Sequence, residues 1–262
     1  MHERLRADNP DGAVGELEIV HEDHHLVAIN KPAGLLVHRS AIDPHETRFA
    51  LQLLRDQLGR RLYPVHRLDK PTSGVLVLAL SPAIARTLGQ AFTAGRVAKT
   101  YLAVVRGWTP REGVIDHPVR EAADPYVSRR QRTPPPAQPA TTNYRRLATA
   151  ELPVRVDRYP TSRYALVQLA PRTGRRHQLR RHMKHIAHPI IGDTSHGKGA
   201  HNRLFQARFD AHRLLLAATR IRFMHPATGT ECTIVARLDT SMSDVVRALG
   251  WEGAAAPYLA GS

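Results

Sequence analysis

The run His66-Arg67-Leu68-Asp69-Lys70-Pro71-Thr72-Ser73-Gly74 constrains this chain more than any other stretch. It leads into Val75-Leu76-Val77-Leu78-Ala79-Leu80, a branched apolar segment that reads as a buried strand. Lys70-Pro71 stops any helix, because proline has no backbone N–H and pushes the residue before it toward extended backbone. Thr72 and Ser73 can tie their hydroxyls to nearby backbone and hold the loop in one shape. Gly74 permits an unusual backbone angle where the strand begins. Asp69 therefore sits in a tight loop just before a core strand. Between Arg67 and Lys70 it is either a solvated ion-pair partner, the commoner fate of such a carboxylate, or a tuned reactive group.

Charge narrows the choice of partner. The 262 residues carry a formal net charge of +15, and residues 120–220 hold 18 Arg and 2 Lys against 6 acidic residues, which places +14 of it there. Arginine suits forked contact to phosphate, so a polyanion, RNA or DNA, is the expected partner. Residues 121–139, with Arg129, Arg130, Arg132 and a Pro134-Pro135-Pro136 run, read as an exposed basic loop that either links or touches phosphates. The single cysteine, Cys232, excludes an internal disulfide and suits a reducing cytoplasm. No apolar run is long enough for a membrane-spanning helix, so no membrane partner is expected. His182, His185 and His188 lack the deliberate ligand set of a zinc site, and no metal is expected. Neither a phosphate-binding glycine loop nor a Gly-x-Ser-x-Gly elbow is present, which argues against nucleotide-driven and serine-hydrolase chemistry.

The periodicity predicts short strands at residues 17–20 and 26–29, and a helix over 49–58 that Gly59 ends. Ser81-Pro82 starts a second helix running to about Ala94. Strands are expected at 99–105, 141–152 and 164–169, and a turn at 107–113. A helix follows over about 175–186, with Arg176, Arg180 and Lys184 sharing one face beside an apolar stripe. Strands at 214–216, 221–223 and 233–235 and a helix at 243–249 close the chain. Irregular interleaving with hairpin-length links indicates an α+β fold with a mixed, mostly antiparallel sheet flanked by helices. One domain is expected over 16–251, between tails at 1–15 and 252–262.

His-Arg-Leu-Asp-x-x-Thr-Ser-Gly resembles the signature of the RluA-type pseudouridine synthases. Further similar stretches are Val27-Ala28-Ile29-Asn30-Lys31-Pro32-Ala33-Gly34, Lys99-Thr100-Tyr101, Thr173-Gly174-Arg175-Arg176-His177-Gln178-Leu179-Arg180 and His188-Pro189-Ile190-Ile191-Gly192-Asp193. The resemblance implies that family's bisected-sheet catalytic fold and a cofactor-independent isomerisation of uridine to pseudouridine in RNA. It makes Asp69 the catalytic carboxylate and Tyr101 the residue that stacks on uracil and helps at the C5 proton. Arg180 becomes the basic partner that keeps Asp69 ionised. Arg67 is a candidate wedge or phosphate contact, and Arg175, Arg176, Lys184 and the Arg129–Arg132 loop are candidate RNA contacts. Val37-His38-Arg39-Ser40, Arg158-Tyr159-Pro160-Thr161-Ser162-Arg163-Tyr164, and His196-Gly197 with Asn202-Arg203 resemble the members that act on tRNA, and imply uridine 65 in the T-stem. A monomer with no obligate protein partner is expected. A ribosomal RNA synthase of this family and a non-catalytic RNA-binding protein on the same scaffold are the alternatives.

Overall fold

Apolar alternation builds the sheet. The computed structural model describes residues 15–39, 46–120 and 136–259. Strands β1 (Ile19–Glu22), β2 (Leu26–Lys31), β3 (Tyr63–Pro64) and β4 (Ser73–Ala79) form one half. The other half contains β5 (Ala98–Arg106), β6 (Glu112–Asp116), β7 (Thr141–Leu152), β8 (Ser162–Pro171), β9 (Leu216–Met224) and β10 (Glu231–Val235). The order is β1-β2-β4-β9-β5-β8-β7-β6, with β3 beside β4 and β10 beside β9. Helix α1 (Ala50–Leu58) ends at Gly59, whose φ of 64° is left-handed. Helix α2 (Pro82–Thr93) starts at Ser81, whose hydroxyl accepts from the Ile84 N–H.

Every residue of β4 is buried, so the strand is covered on both faces. Leu76 and Leu78 pack with Leu54 of α1, while Val75, Val77 and Ala79 pack with Leu88 of α2. The second half is also sandwiched. Ala103, Val105, Ala165 and Val167 cover α3 (Gln178–His185) through Leu179 and Met183. Leu102, Val104, Tyr164 and Leu166 meet α4 (Gly199–Phe209) and α5 (Thr240–Ala248) on the opposite face.

The two halves join through one short parallel contact, Ser73 against Ala217 and Gly74 against Ala218. All the other strand pairings among the described residues are antiparallel. Gly74 makes the junction possible. Its φ is 109°, and a Cβ built on it would lie 2.1 Å from the Ala218 carbonyl oxygen. Gly74→Ala is therefore expected to destabilise the fold by at least about 2 kcal/mol in denaturant unfolding, through backbone strain and backbone overlap together. An unchanged midpoint would mean that the junction is looser than this. Arg213 braces the seam from the side, donating to Ser73 Oγ at 3.1 Å and to the Leu216 carbonyl at 3.0 Å.

Three expectations need correction. The helix expected from about Arg175 begins at Gln178, because residues 173–176 form a turn that the Gln178 side chain holds by accepting from Thr173 Oγ1 and the Arg175 N–H. Arg176 is therefore outside the helix, and the expected Arg176-Arg180-Lys184 face does not form. The strands expected at 214–216 and 221–223 are joined in one strand, β9. Finally, residues 252–259 are not a loose tail. They form α6 (Glu252–Ala255) and a 3-10 turn (Ala256–Tyr258), because Ala255 and Tyr258 join Trp251 in completing the apolar cover over β5 and β8. The Tyr258 carbonyl also accepts from the Leu238 N–H.

Candidate active site

The loop 66–72 lies at the seam and is tied down from three sides. The Val77 N–H donates to His66 Nε2 at 2.9 Å, and the His66 ring stacks on Phe92 at 4.8 Å. Burial, helped by Lys99, pushes the His66 pKa down to about 3, so the ring is a neutral acceptor and a structural anchor. Lys31 is fully buried, and its ammonium donates to the carbonyls of Pro32, Leu35 and Lys70. Burial, and then Arg213, lower its pKa to about 7. The Thr72 N–H donates to the Asp69 carbonyl, which closes the turn.

Asp69 thus stands partly exposed on a rigid support, with a side-chain exposure of 21%. Arg180, on α3, reaches its Oδ2 with Nη1 at 3.7 Å. The guanidinium makes its closer contact elsewhere. Nε and Nη2 donate to the two oxygens of Asp193 at 2.7 and 2.8 Å. Burial opposes the charge on Arg180, but the Asp193 and Asp69 carboxylates outweigh it and hold the group above its ordinary pKa. Burial likewise opposes the charge on Asp193, and Arg180 with the N–H groups of His196 and Ser195 outweighs it and holds the carboxyl low. Asn202 of α4 locks this corner, accepting from the Gly192 N–H and donating to the Asp193 carbonyl.

Sheet register brings Tyr101 alongside. Ala218 of β9 pairs with Gly74 on one side and with Tyr101 on the other. The ladder between β5 and β9 is irregular at this point: Thr100 pairs with Arg220 and Tyr101 with Ala218, which leaves Thr219 of β9 as the extra residue. Burial and then the charge of Asp69 raise the phenol's pKa, so it keeps its proton and offers a ring face and an O–H. Asp69, Tyr101 and Arg180 line one cavity of about 560 Å³. Arg67, Arg175 and Arg176 stand around it, and Lys99, Arg172 and His177 complete its polar lining. Arg67 is exposed. Lys184 is exposed at the far end of α3 and does not line the cavity. Arg129, Arg130 and Arg132 lie outside the described residues.

A floor carboxylate, a buried guanidinium, a protonated phenol and a basic mouth can hold an anionic polymer and attack one of its sugars or bases. A family model described as RNA pseudouridylate synthase matches residues 25–185, which span the whole of this cavity's lining up to Arg180. The chain belongs to the RNA pseudouridylate synthase family. It is an isomerase. The synthase is 49% identical over 237 residues to tRNA pseudouridine synthase C of Vibrio parahaemolyticus, covering 90% of this chain and 96% of the relative. It is 50% identical over 236 residues to the protein of the same name from Vibrio cholerae, covering 90% and 97%. Among solved structures it is similar to human RNA Pseudouridylate Synthase Domain Containing 4, with a TM-score of 0.66, 30% identity, and coverage of 89% of this chain and 93% of the other. The mixed, mostly antiparallel sheet with flanking helices is therefore the fold of that family. No helix among the described residues is long and apolar enough to cross a membrane.

Sequence reasoning singled out the carboxylate, tyrosine and arginine of the synthase but gave no role to Lys31, Asp193, His177, Asn202 or Arg213. A lysine inside the apolar strand β2, just before Pro32, was the one available signal for Lys31. Tyr164, at the end of the Arg158–Tyr164 stretch, has a structural role as well. Tyr164 Oη lies 2.8 Å from His201 Nδ1, whose Nε2 is 3.2 Å from Asp157. This pins α4, and with it Asn202, against the sheet.

Proposed function

We propose that the protein converts a uridine of tRNA to pseudouridine, that the uridine is position 65, and that Asp69 is the catalytic carboxylate. The observation that carries the reading is the convergence of Asp69 and Arg180 with Tyr101 at the sheet seam, inside a cavity ringed by arginines. The tRNA substrate is supported by relatives named for it at about half identity over nine-tenths of the chain. Position 65 is supported by the resemblance at Val37–Ser40, at Arg158–Tyr164, and at His196-Gly197 with Asn202-Arg203.

In the reaction the C1′–N1 bond breaks, the base turns, and a C1′–C5 bond forms. C5 loses its proton and N1 gains one, so substrate and product are isomers and no co-reactant is consumed. Asp69 promotes the first cleavage by attack on the sugar or the base, or by assisting a glycal route. Tyr101 holds the turning ring against its face, and its O–H takes part at the C5 proton. A stem uridine must leave its stack at a cost of roughly a few kcal/mol, and Arg67 fills the gap it leaves. Arg175 and Arg176 at the mouth hold phosphates. The enzyme acts as a monomer in the cytoplasm, where its tRNA substrate resides.

The test incubates the purified protein with unmodified tRNA and, separately, with naked ribosomal RNA, and maps pseudouridine by carbodiimide-dependent primer extension. Modification at tRNA position 65 alone is expected. Modification elsewhere in tRNA would overturn the position and keep the substrate. Product in ribosomal RNA with none in tRNA would overturn both.

A further inference from the structure

His177 has no role in the chemistry above, yet its placement is unusual. It precedes α3 with a φ of 55°, a left-handed conformation that L side chains seldom adopt. That backbone directs the imidazole between two partners. Nδ1 lies 3.2 Å from His196 Nε2, with the rings at 76°. Nε2 lies 3.9 Å from Asp69 Oδ2, the same oxygen that Arg180 Nη1 approaches at 3.7 Å. Both His177 and Arg180 thus make their closest approach to Asp69 at Oδ2.

Burial holds the His177 pKa down to about 4, against the pull of Asp69, so the ring is neutral at pH 7 and carries one N–H. A carboxylate only accepts, so the proton belongs on Nε2, facing Oδ2. Nδ1 is then an acceptor and needs a donor, which His196 Nε2–H supplies. Asp193, the residue that clamps Arg180, also fixes His196, because its Oδ1 accepts from the His196 N–H at 2.8 Å. One carboxylate thereby holds Arg180 directly and the backbone of His196, the partner of His177.

We propose that His177 is a positioning residue for Asp69: its Nε2–H, set by His196, holds Oδ2 together with Arg180 and leaves Oδ1 to reach the nucleotide. The assignment rests on Asp69 being the catalytic carboxylate. At 3.9 Å the contact is electrostatic, and contacts of this kind shorten when substrate closes over a site.

The experiment compares His177→Gln, His177→Asn and His196→Phe in steady-state turnover of unmodified tRNA, with thermal unfolding of each sample. A Gln amide can stand where Nε2 stands, whereas an Asn amide reaches only as far as Nδ1. Asn is the residue that best tolerates left-handed backbone. A purely structural role therefore ranks Asn above Gln, and the positioning role ranks Gln above Asn. The expected result is a kcat loss of about 10- to 100-fold for His177→Asn, the usual scale for a supporting residue. His177→Gln should recover most of it, and KM should stay unchanged in both. His196→Phe, which keeps a ring but removes the donor, should lower kcat in the same direction. Asn equal to or better than Gln, or a loss confined to KM, overturns the proposal. Asp69→Asn runs in parallel: if it turns over, the catalytic reading itself fails, whereas an inert Asp69→Asn beside a fully active His177→Asn removes His177 alone.

Discussion

Asp69→Asn will remove pseudouridine formation by at least about 10³-fold, the scale on which loss of a nucleophile acts. The substitution keeps the shape of the side chain and the turn, because the Thr72 N–H is held by the Asp69 backbone carbonyl. The loop itself is tied by His66 to β4 and by Lys31 to the carbonyls around it. RNA affinity should stay within about threefold, since it comes from phosphate contacts at the mouth and the variant only removes a negative charge from the cavity. Filter binding and product mapping on the same preparation separate the two effects. Turnover within about tenfold of the unaltered enzyme would end the assignment of Asp69.

Arg180→Ala is expected to damage both the fold and the chemistry, because Arg180 serves two carboxylates. Asp193 has a side-chain exposure of 1%, and without its bidentate partner it becomes a buried, uncompensated charge. Breaking such a pair from one side costs about 3–5 kcal/mol, so the unfolding midpoint should fall sharply. The double variant Arg180→Ala/Asp193→Asn removes the orphaned charge while keeping an oxygen for the Ser195 and His196 N–H groups. It should recover much of the stability and none of the turnover, because Asp69 Oδ2 still lacks its guanidinium. A double variant that regains activity along with stability would reduce Arg180 to a structural residue.

The pairing of Arg180 illustrates what a sequence conveys and what it leaves to the fold. A resemblance over 173–180 named this arginine as the partner of Asp69. The structure puts Asp193 on the same guanidinium at 2.7 Å and leaves Asp69 at 3.7 Å. Asp193 follows Arg180 by thirteen residues with a turn between, and no spacing rule links the two. The contact exists because α3 packs on β5 and β8 through Leu179 and Met183 and carries its buried edge to the 192–193 turn.

Helix α4 gave no periodic signal for a related reason. Its buried positions include His201 and Asn202 as well as Phe205, so polar residues occupy the inward face. Those groups are satisfied by Tyr164, Asp157, Gly192 and Asp193, none of them within the helix. The segment 252–259 misled in the opposite way. Its glycine and alanines look like a tail, and only the uncovered face of β5 and β8 makes burial of Ala255 and Tyr258 favourable.

Local chemistry was legible wherever the cause was local. Gly59 ends α1 because its own backbone turns left-handed, and Ser81 starts α2 because its own hydroxyl caps the first turn. The β4 run is apolar because both faces are covered, and the loop before it presents Asp69 because Pro71 and Gly74 leave it few alternatives. By itself, then, the sequence determined most of the strands, the early helices, the position of the carboxylate and the basic character of its surroundings. The tertiary structure decided which charges face it. Tyr101 arrives through the register of β9 between two sheet halves, and Arg180, His177, His196 and Asp193 arrive through the packing of α3 against the sheet. Those contacts join residues far apart in the chain, and their free energy comes from burial and ion pairing that exist only once the chain has closed.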